Sequence, residues 1–215
     1  MDNHNTRFKA DPIGYTSMFA VNSVRWMMRN THGNDGRRIG MLTHLKAGHF
    51  DLCWPNRNQN AVDLTVVNAN AGGGDPPIQA YWCPFIQGHG LPGYVDIPRQ
   101  NPQTPYVFTA AMNGCALVAT DSPNGGGYFR LYHHQHPNVQ AVWNQINNLN
   151  QPVHSIVNWD DYANVLGPQG VANAFNFLYY RNGRWVYVLQ PQILLPDLSV
   201  RLNQGVRRQI LDVLP

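Results

Sequence analysis

The feature of the sequence that most constrains the fold is an Asn-Gly dipeptide between two runs of β-forming residues. Phe175–Tyr180 and Trp185–Leu189 flank the tetrapeptide Arg181–Arg184, whose central residues are Asn182 and Gly183. Asn and Gly tolerate the positive φ angles that a two-residue hairpin turn requires. The sequence therefore predicts an antiparallel hairpin near the end of the chain.

A second hairpin is predicted at the centre of the sequence. Cys115–Ala119 has the composition of a buried strand, and Tyr128–His133 has that of a returning strand. The segment Asp121–Gly127 between them is rich in Gly and predicts a turn. This order brings Cys115 and His133 onto neighbouring strands.

The remaining pattern predicts one domain of mixed class. Short apolar stretches between turn signals predict strands at Met41–Leu45, His49–Trp54, Ala61–Val67 and Ile78–Phe85. Helical spacing predicts helices over residues 16–30, from Pro137 to Leu149, at Tyr162–Leu166 with Asp160 or Asp161 as the cap, and over 202–214. Residues 87–105 are rich in Gly, Pro and Gln and predict a loop. We expect a single α+β domain over residues 1–215, with an antiparallel β-sandwich or sheet core flanked by helices.

Composition and charge exclude several classes of function. The 215 residues, 43% of them hydrophobic, suffice for one core. The net charge is +3 and Lys and Arg form no run, so we expect no nucleic-acid partner. No stretch approaches the roughly 18 apolar residues of a membrane span, so no membrane partner is expected. The first residues also lack the pattern of a secretory signal peptide.

The cysteines predict a free thiol in a reducing compartment. Cys53, Cys83 and Cys115 are widely spaced and form no CxxC pair, which argues against structural zinc and against a disulfide framework. Cys53 and Cys83 are expected to be packed as small hydrophobic residues. The histidine tract 133–136 lacks the usual geometry of metal ligands, so we expect no metal and no cofactor.

Cys115 is the thiol for which the sequence suggests chemistry. A thiol attacks as its thiolate, and an adjacent imidazole such as that of His133 is the usual activating base. Gly114 leaves space for a substrate carbonyl, and backbone N–H groups of the Asn113-Gly114 turn would form an oxyanion hole. Thr109, six residues before Cys115, would orient the imidazole.

Two alternatives remain open at this stage. Neighbouring strand residues point to opposite faces, so only one of His133 and His134 meets Cys115, with His136 as a third candidate for the base. Cys115 is also compatible with a buried, unreactive strand residue, which is the commoner role of a free cysteine.

The residues together resemble a family. Thr109-Ala-Ala-Met-Asn-Gly-Cys115, followed by a hairpin turn and Tyr132-His133, is similar to the Thr…Ser-Gly-Cys…His arrangement of the toxin-type glutamine deamidase superfamily. That group includes the cytotoxic necrotizing factors, the chemoreceptor deamidase CheD and Burkholderia lethal factor. Trp82-Cys-Pro-Phe85 is similar to an upstream segment of the lethal factor. Asn113 stands where the family usually has Ser, and the specific motif covers residues 106–134.

The resemblance implies a cysteine-dependent glutamine deamidase. Cys115, His133 and Thr109 would convert Gln to Glu on a target protein, by family analogy a small GTPase or a translation factor. The protein would be a monomeric toxin or effector. It would be made in the bacterial cytoplasm without a Sec signal and exported to, or active in, a host cell. The alternatives are a thiol protease or transglutaminase with the same Cys–His pair, or a non-catalytic protein-binding module.

Overall fold

Two β-sheets and a few short helices make up the fold. The computed structural model describes residues 3–25, 45–55, 60–70, 74–163, 170–205 and 209–214. The helices are α1 (His4–Ala10), α2 (Pro12–Met18), α3 (Gln140–Asn147) and α4 (Trp159–Tyr162). The strands are β1 (Ala20–Asn22), β2 (Ala47–Cys53), β3 (Ala61–Val67), β4 (Ile78–Cys83), β5 (Gly93–Pro98), β6 (Tyr106–Thr109), β7 (Ala116–Asp121), β8 (Tyr128–His134), β9 (Val153–Val157), β10 (Val171–Arg181), β11 (Arg184–Leu194), β12 (Val200–Leu202) and β13 (Ile210–Asp212). No helix in the described ranges is long and apolar enough to cross a membrane.

The larger sheet is mixed and the smaller sheet is antiparallel. The described strands of the larger sheet follow the order β1-β3-β2-β4-β6-β10-β11-β12, with β13 also paired to β11. β1 and β3 run parallel, as do β4 and β6, while its other pairs are antiparallel. The smaller sheet has the order β5-β8-β7-β9. The α+β class with a sheet core is therefore confirmed, whereas the extent of a single domain over residues 1–215 stays a prediction.

The main core lies between the two sheets. Val107 and Leu178 of the larger sheet share one buried cluster with Leu117 and Leu131 of the smaller sheet. The opposite face of the smaller sheet is covered by α3, where Ile146 packs with Ala116, Val118 and Tyr132. The opposite face of the larger sheet is covered by α1 and α2 through Phe8 and Tyr15. Each sheet is thus covered by helices on the face that does not meet the other sheet.

Both hairpins predicted from turn residues are confirmed. β10 and β11 pair from Val171↔Leu194 to Arg181↔Arg184, and the turn residues Asn182 and Gly183 have φ angles of 51° and 79°. β7 and β8 pair in register from Ala116↔His134 to Asp121↔Phe129. In both cases, local turn chemistry is sufficient to determine the pairing of the strands.

An ion pair reinforces the smaller sheet near the turn of the central hairpin. Arg130 of β8 donates to both carboxylate oxygens of Asp96 on β5, at 2.7 Å each. Ser122 and Asn124 of the hairpin turn donate to the same carboxylate at 2.9 and 2.8 Å. The Arg130 guanidinium also lies 3.9 Å from the centroid of the Tyr94 ring. These contacts hold the turn of the hairpin against β5.

The first helix, predicted over residues 16–30, is only partly correct in its described part, because residues 16–18 and 24–25 are helical and residues 19–23 are not. α2 begins earlier, at Pro12, because the Asp11 side chain accepts a hydrogen bond from the Gly14 N–H and Pro suits the first helical position. β1 follows at Ala20–Asn22, where pairing with β3 determines the conformation. Residues 26–30 of that helix, and 41–44 of the strand predicted at Met41–Leu45, lie outside the described residues.

Three further predictions of secondary structure are corrected. The predicted loop 87–105 contains β5, and the predicted C-terminal helix is replaced in its described part by β12 and β13, both paired with β11. The short helix α4 begins at Trp159, not Tyr162. Its cap is Asn158, whose side chain accepts from the Asp160 N–H, while Asp161 accepts from the Asn158 N–H.

Candidate functional site

The predicted site residues lie in the layer between the two sheets. Thr109 ends β6 and is opposite Cys83 in the parallel β4–β6 pair of the larger sheet. Cys115 immediately precedes β7, and His133 on β8 is opposite Leu117. The larger sheet therefore supplies Thr109, while the smaller sheet supplies Cys115 and His133.

A hydrogen-bond chain fixes the proton of the His133 imidazole. Thr109 Oγ1 lies 2.7 Å from the carbonyl oxygen of Cys83 and 2.7 Å from His133 Nδ1. A carbonyl oxygen can only accept, so the single hydroxyl proton of Thr109 is donated to Cys83. Thr109 must then accept from His133, which places the imidazole proton on Nδ1.

The other nitrogen of His133 is an unused acceptor. With the proton on Nδ1, Nε2 carries a lone pair, and this buried atom has no hydrogen-bond partner among the described residues. The Phe85 ring contacts the imidazole edge-on, with 5.2 Å between the ring centroids. His133 therefore has the tautomer that a general base acting through Nε2 would require.

His133, and not His134, is on the face that holds Cys115. Cys115 and Leu117 belong to the core cluster between the sheets, and His133 is directly opposite Leu117. His134 is opposite Ala116, which faces α3, and its ring packs against Trp143 at 4.6 Å between centroids. The third candidate, His136, has its ring against His89 instead.

Burial keeps both members of the Cys–His pair neutral. Cys115 is only 6% exposed, and burial raises the pKa of its thiol to about 11. Burial, followed by the nearby His134, lowers the pKa of His133 to about 3. Within the described part of the chain, no hydrogen bond joins the Cys115 thiol to His133. At neutral pH, Cys115 is thus a protonated thiol and His133 is a neutral imidazole.

The backbone before Cys115 has the conformation of a tight turn. Gly114 has a φ angle of +82°, which favours glycine, and a side chain added there would meet nothing within 4 Å. The Tyr162 hydroxyl of α4 donates to the Cys115 carbonyl oxygen at 2.7 Å. The expected open space beside Gly114 is present, while the roles expected of Asn113 and Gly114 in binding an oxyanion stay predictions.

A cleft of about 590 Å³ opens next to this turn. Asn113, Gly114 and Ala116, which flank Cys115 in the sequence, line one side of it. Trp143 of α3 and Trp159 of α4 contribute aromatic rings to its lining. The cleft therefore gives access to the backbone on either side of Cys115.

The other two cysteines differ in their surroundings. Cys83 is fully buried, its thiol donates to the Leu131 carbonyl oxygen at 3.3 Å, and burial raises its pKa. Cys53, expected to be packed, is exposed at the end of β2, because Cys53 falls on the outward-facing side of that strand.

The described residues contain no group of three or more His, Cys or Asp side chains arranged to hold a metal ion.

Several contacts of the site could not be read from sequence. The Cys83 carbonyl that orients Thr109 is 26 residues away, and Tyr162 is 47 residues from Cys115. The sequence favours a helix cap for Asp160, whereas the structure places this residue in the lining of the cleft. Such contacts depend on how the sheets and α4 pack, and no local spacing signals them.

These features define a class of protein: an α+β domain of two packed sheets, with Cys115 and His133 buried between the sheets and an aromatic cleft that opens next to Gly114. The family model described as the Mcf1 activator-binding domain matches residues 2–212, and the chain belongs to this family. A search of curated proteins finds no match.

The family match corrects the resemblance to the toxin-type glutamine deamidase superfamily. That resemblance rests on a few residues, Thr, Gly-Cys and His, that occur in the same order within the short segment 106–134. The family match covers residues 2–212. A Thr on one strand and a Cys and His on an adjacent hairpin can be brought together by β-structure of different families. The assignment to the deamidase superfamily is therefore wrong.

Proposed function

We propose that the chain is a protein-binding domain whose partner is an activator protein. The observation that carries the proposal is membership of the Mcf1 activator-binding domain family over residues 2–212. This function corresponds to the protein-binding module that the sequence left open as an alternative. A protein partner follows from the family description, while the identity of the activator does not.

The surface around the cleft supports a binding role. β9 is the last described strand of the smaller sheet, and its residues Val153 and Ile156 are 42% and 43% exposed. Ile156 also lines the cleft, together with Trp143 and Trp159. Protein interfaces are enriched in aromatic residues at their centres, and a partner would bury this apolar surface.

The proposal is tested by isolating a partner and measuring its affinity. In this experiment, a photo-cross-linking amino acid replaces Ile156, and the proteins that become cross-linked in cell extracts are identified by mass spectrometry. Each candidate is then produced pure and titrated by calorimetry. We expect a saturable one-to-one complex with a Kd of about 1 μM or tighter, equivalent to about −8 kcal/mol.

The control uses the same cross-linker at Met18, an exposed residue on α2, away from the β9 surface. A true partner is cross-linked from position 156 more efficiently than from position 18 and binds the unlabelled domain. If every candidate fails to bind in purified form, the chain is not a protein-binding domain.

A second candidate function is cysteine-dependent hydrolysis of an amide, as expected from the sequence. What supports it is the hydrogen-bond chain from Cys83 through Thr109, which leaves the lone pair of His133 Nε2 available. Cys115 Sγ would attack the amide carbonyl carbon as Nε2 takes the thiol proton, and that proton would leave with the amine or ammonia. Water would then hydrolyse the thioester to a carboxylate and regenerate the thiol. The substrate would be a glutamine side chain or a peptide bond.

This candidate is tested by the rate at which iodoacetamide labels Cys115 between pH 5 and 9, followed by peptide mapping. If His133 acts as the base, His133→Asn slows labelling of Cys115 at least tenfold while leaving Cys53 labelling unchanged. Cys53 serves as the internal control because it is exposed. Equal rates in the two proteins would exclude His133 as a base for this thiol.

A further inference from the structure

The cleft beside Cys115 combines aromatic rings with one carboxylate. Trp143 and Trp159 line it together with the amide side chains of Asn138 and Asn158. Asp160 of α4 also lines it, and the Asp160 side chain is exposed. The described residues of the lining include no Lys and no Arg.

Asp160 carries a negative charge that no described residue neutralises. The ion pairs of the described residues involve Asp63, Asp96, Asp121 and Asp212 but not Asp160. A partner group that meets the cleft gains from being cationic.

The position of Asp160 is fixed by the structure of α4. Asn158 and Asp161 form a reciprocal capping box at the start of this helix, and Gln209 donates to the Asp161 carbonyl oxygen at 3.0 Å. The Trp159 ring also packs edge-on against the buried Tyr162 ring, at 5.8 Å between centroids. The Asp160 carboxylate is therefore presented on a helix whose position is fixed, and this lowers the entropy lost on binding.

Arginine is the side chain that matches this chemistry. Its planar guanidinium stacks on Trp rings, donates two parallel hydrogen bonds to a carboxylate, and can donate further to amide oxygens. A cleft of about 590 Å³ is large enough to admit this side chain together with the adjoining backbone. Ile156, which is 43% exposed at the cleft, offers an apolar contact to a neighbouring residue of the same segment.

We propose that the cleft lined by Trp143, Trp159 and Asp160 binds an arginine side chain presented by an exposed segment of the activator protein. The inference rests on the proposed protein-binding function and adds the place and the chemistry of the contact. Lysine can pair with Asp160 but lacks the planar fork, so a segment with lysine in place of arginine binds more weakly.

The test selects phage-displayed random linear peptides on the full chain and measures the consensus peptide by fluorescence anisotropy. We expect arginine at one position of the consensus, and a peptide with citrulline at that position to bind at least tenfold more weakly. Asp160→Asn should weaken binding of the arginine peptide about fivefold to tenfold, because a charge-assisted hydrogen bond is lost. It should have little effect on the citrulline peptide.

The matched control is Asp212→Asn, which removes the same charge from an exposed carboxylate on β13. It should leave the affinity unchanged within twofold. Trp159→Leu should also weaken the arginine peptide, and an unchanged urea midpoint would show that the variant is folded.

Each outcome decides between the two proposals. If peptides are selected without arginine, or if their binding is indifferent to Asp160→Asn, the arginine site is refuted while the protein-binding function stands. If no peptide is enriched and no purified protein binds, both are refuted. An arginine consensus that depends on Asp160 and Trp159 supports both.

Discussion

Replacing Thr109 with valine tests the hydrogen-bond chain on which the site geometry depends. The side chain is 1% exposed, and valine has nearly the same shape, so the change removes a hydroxyl without opening a cavity. Two bonds of 2.7 Å are lost, one to the Cys83 carbonyl oxygen and one from His133 Nδ1–H. The Nδ1–H is then buried without an acceptor.

The expected loss of stability follows from these groups. An unsatisfied buried donor costs about 1–3 kcal/mol, and the lost bond to the carbonyl costs about 0.5–1.5 kcal/mol. The added buried methyl group returns about 0.8 kcal/mol. The net expectation is a decrease of about 1–4 kcal/mol in the free energy of unfolding.

Urea unfolding followed by Trp fluorescence measures this change. The midpoint should fall with an unchanged m-value, because the same surface is exposed on unfolding. Thr109→Ser keeps the hydroxyl and should lose only about 1 kcal/mol, from one buried methyl group. If Thr109→Val loses less than about 0.5 kcal/mol, or no more than Thr109→Ser, the hydrogen-bond chain does not contribute as described.

Three further predictions use the same unfolding assay. Burial lowers the pKa values of His133 and His134 from 6.5 to about 3 and about 4, so the unfolded chain binds protons that the folded chain does not. The free energy of unfolding should be at its full value above pH 6.5 and should fall at lower pH by up to about 1.4 kcal/mol per pH unit for each histidine. A free energy of unfolding that does not change from pH 7 to 5 would contradict this. Arg130→Ala breaks a largely buried ion pair and should lower the free energy of unfolding by about 3 kcal/mol. Arg184→Ala breaks an exposed ion pair and should lower it by less than about 1 kcal/mol. Similar losses in the two variants would refute this distinction. Asn158→Ala removes the cap of α4 and should cost about 1 kcal/mol, and no loss would show that the capping box is not formed in solution.

The parts of the fold that sequence predicts are those determined by local chemistry. β3 has the predicted bounds, Ala61–Val67, because apolar and β-branched residues dominate this run and polar sequence flanks it. The two hairpins follow from Asn182-Gly183 and from the glycine-rich turn 121–127. In these segments, the turn residues and the strand composition favour the same structure.

The parts that sequence does not predict are determined by partners distant in the chain. β5 lies in a segment that reads as a loop, yet all six of its residues pair with β8. The first residue of β5, Gly93, has to be glycine because any side chain there would collide with the backbone carbonyl of Pro84. β13 reads as part of a helix, but it completes the sheet beside β11. Tertiary pairing overrides local propensity in both cases.

Some features of the candidate site could likewise be predicted from the sequence, and others could not. The predicted hairpin was enough to expect Cys115 and His133 on neighbouring strands, and strand alternation implied that only one of His133 and His134 shares the face of Cys115. The neutral state of Cys115 and His133 was not expected, because it depends on burial between two sheets. The family was also not accessible from a short motif, since its match is distributed over the chain.

The most direct test of the binding function compares the wild-type chain with Cys115→Ser against the purified partner. Calorimetry gives the affinity, and intact-mass spectrometry of the partner after incubation reports any chemical change. We predict equal Kd values within twofold and an unchanged partner mass, because binding does not need the thiol. A partner whose mass changes with the wild-type chain but not with Cys115→Ser would contradict a purely binding role and would make the chain an enzyme.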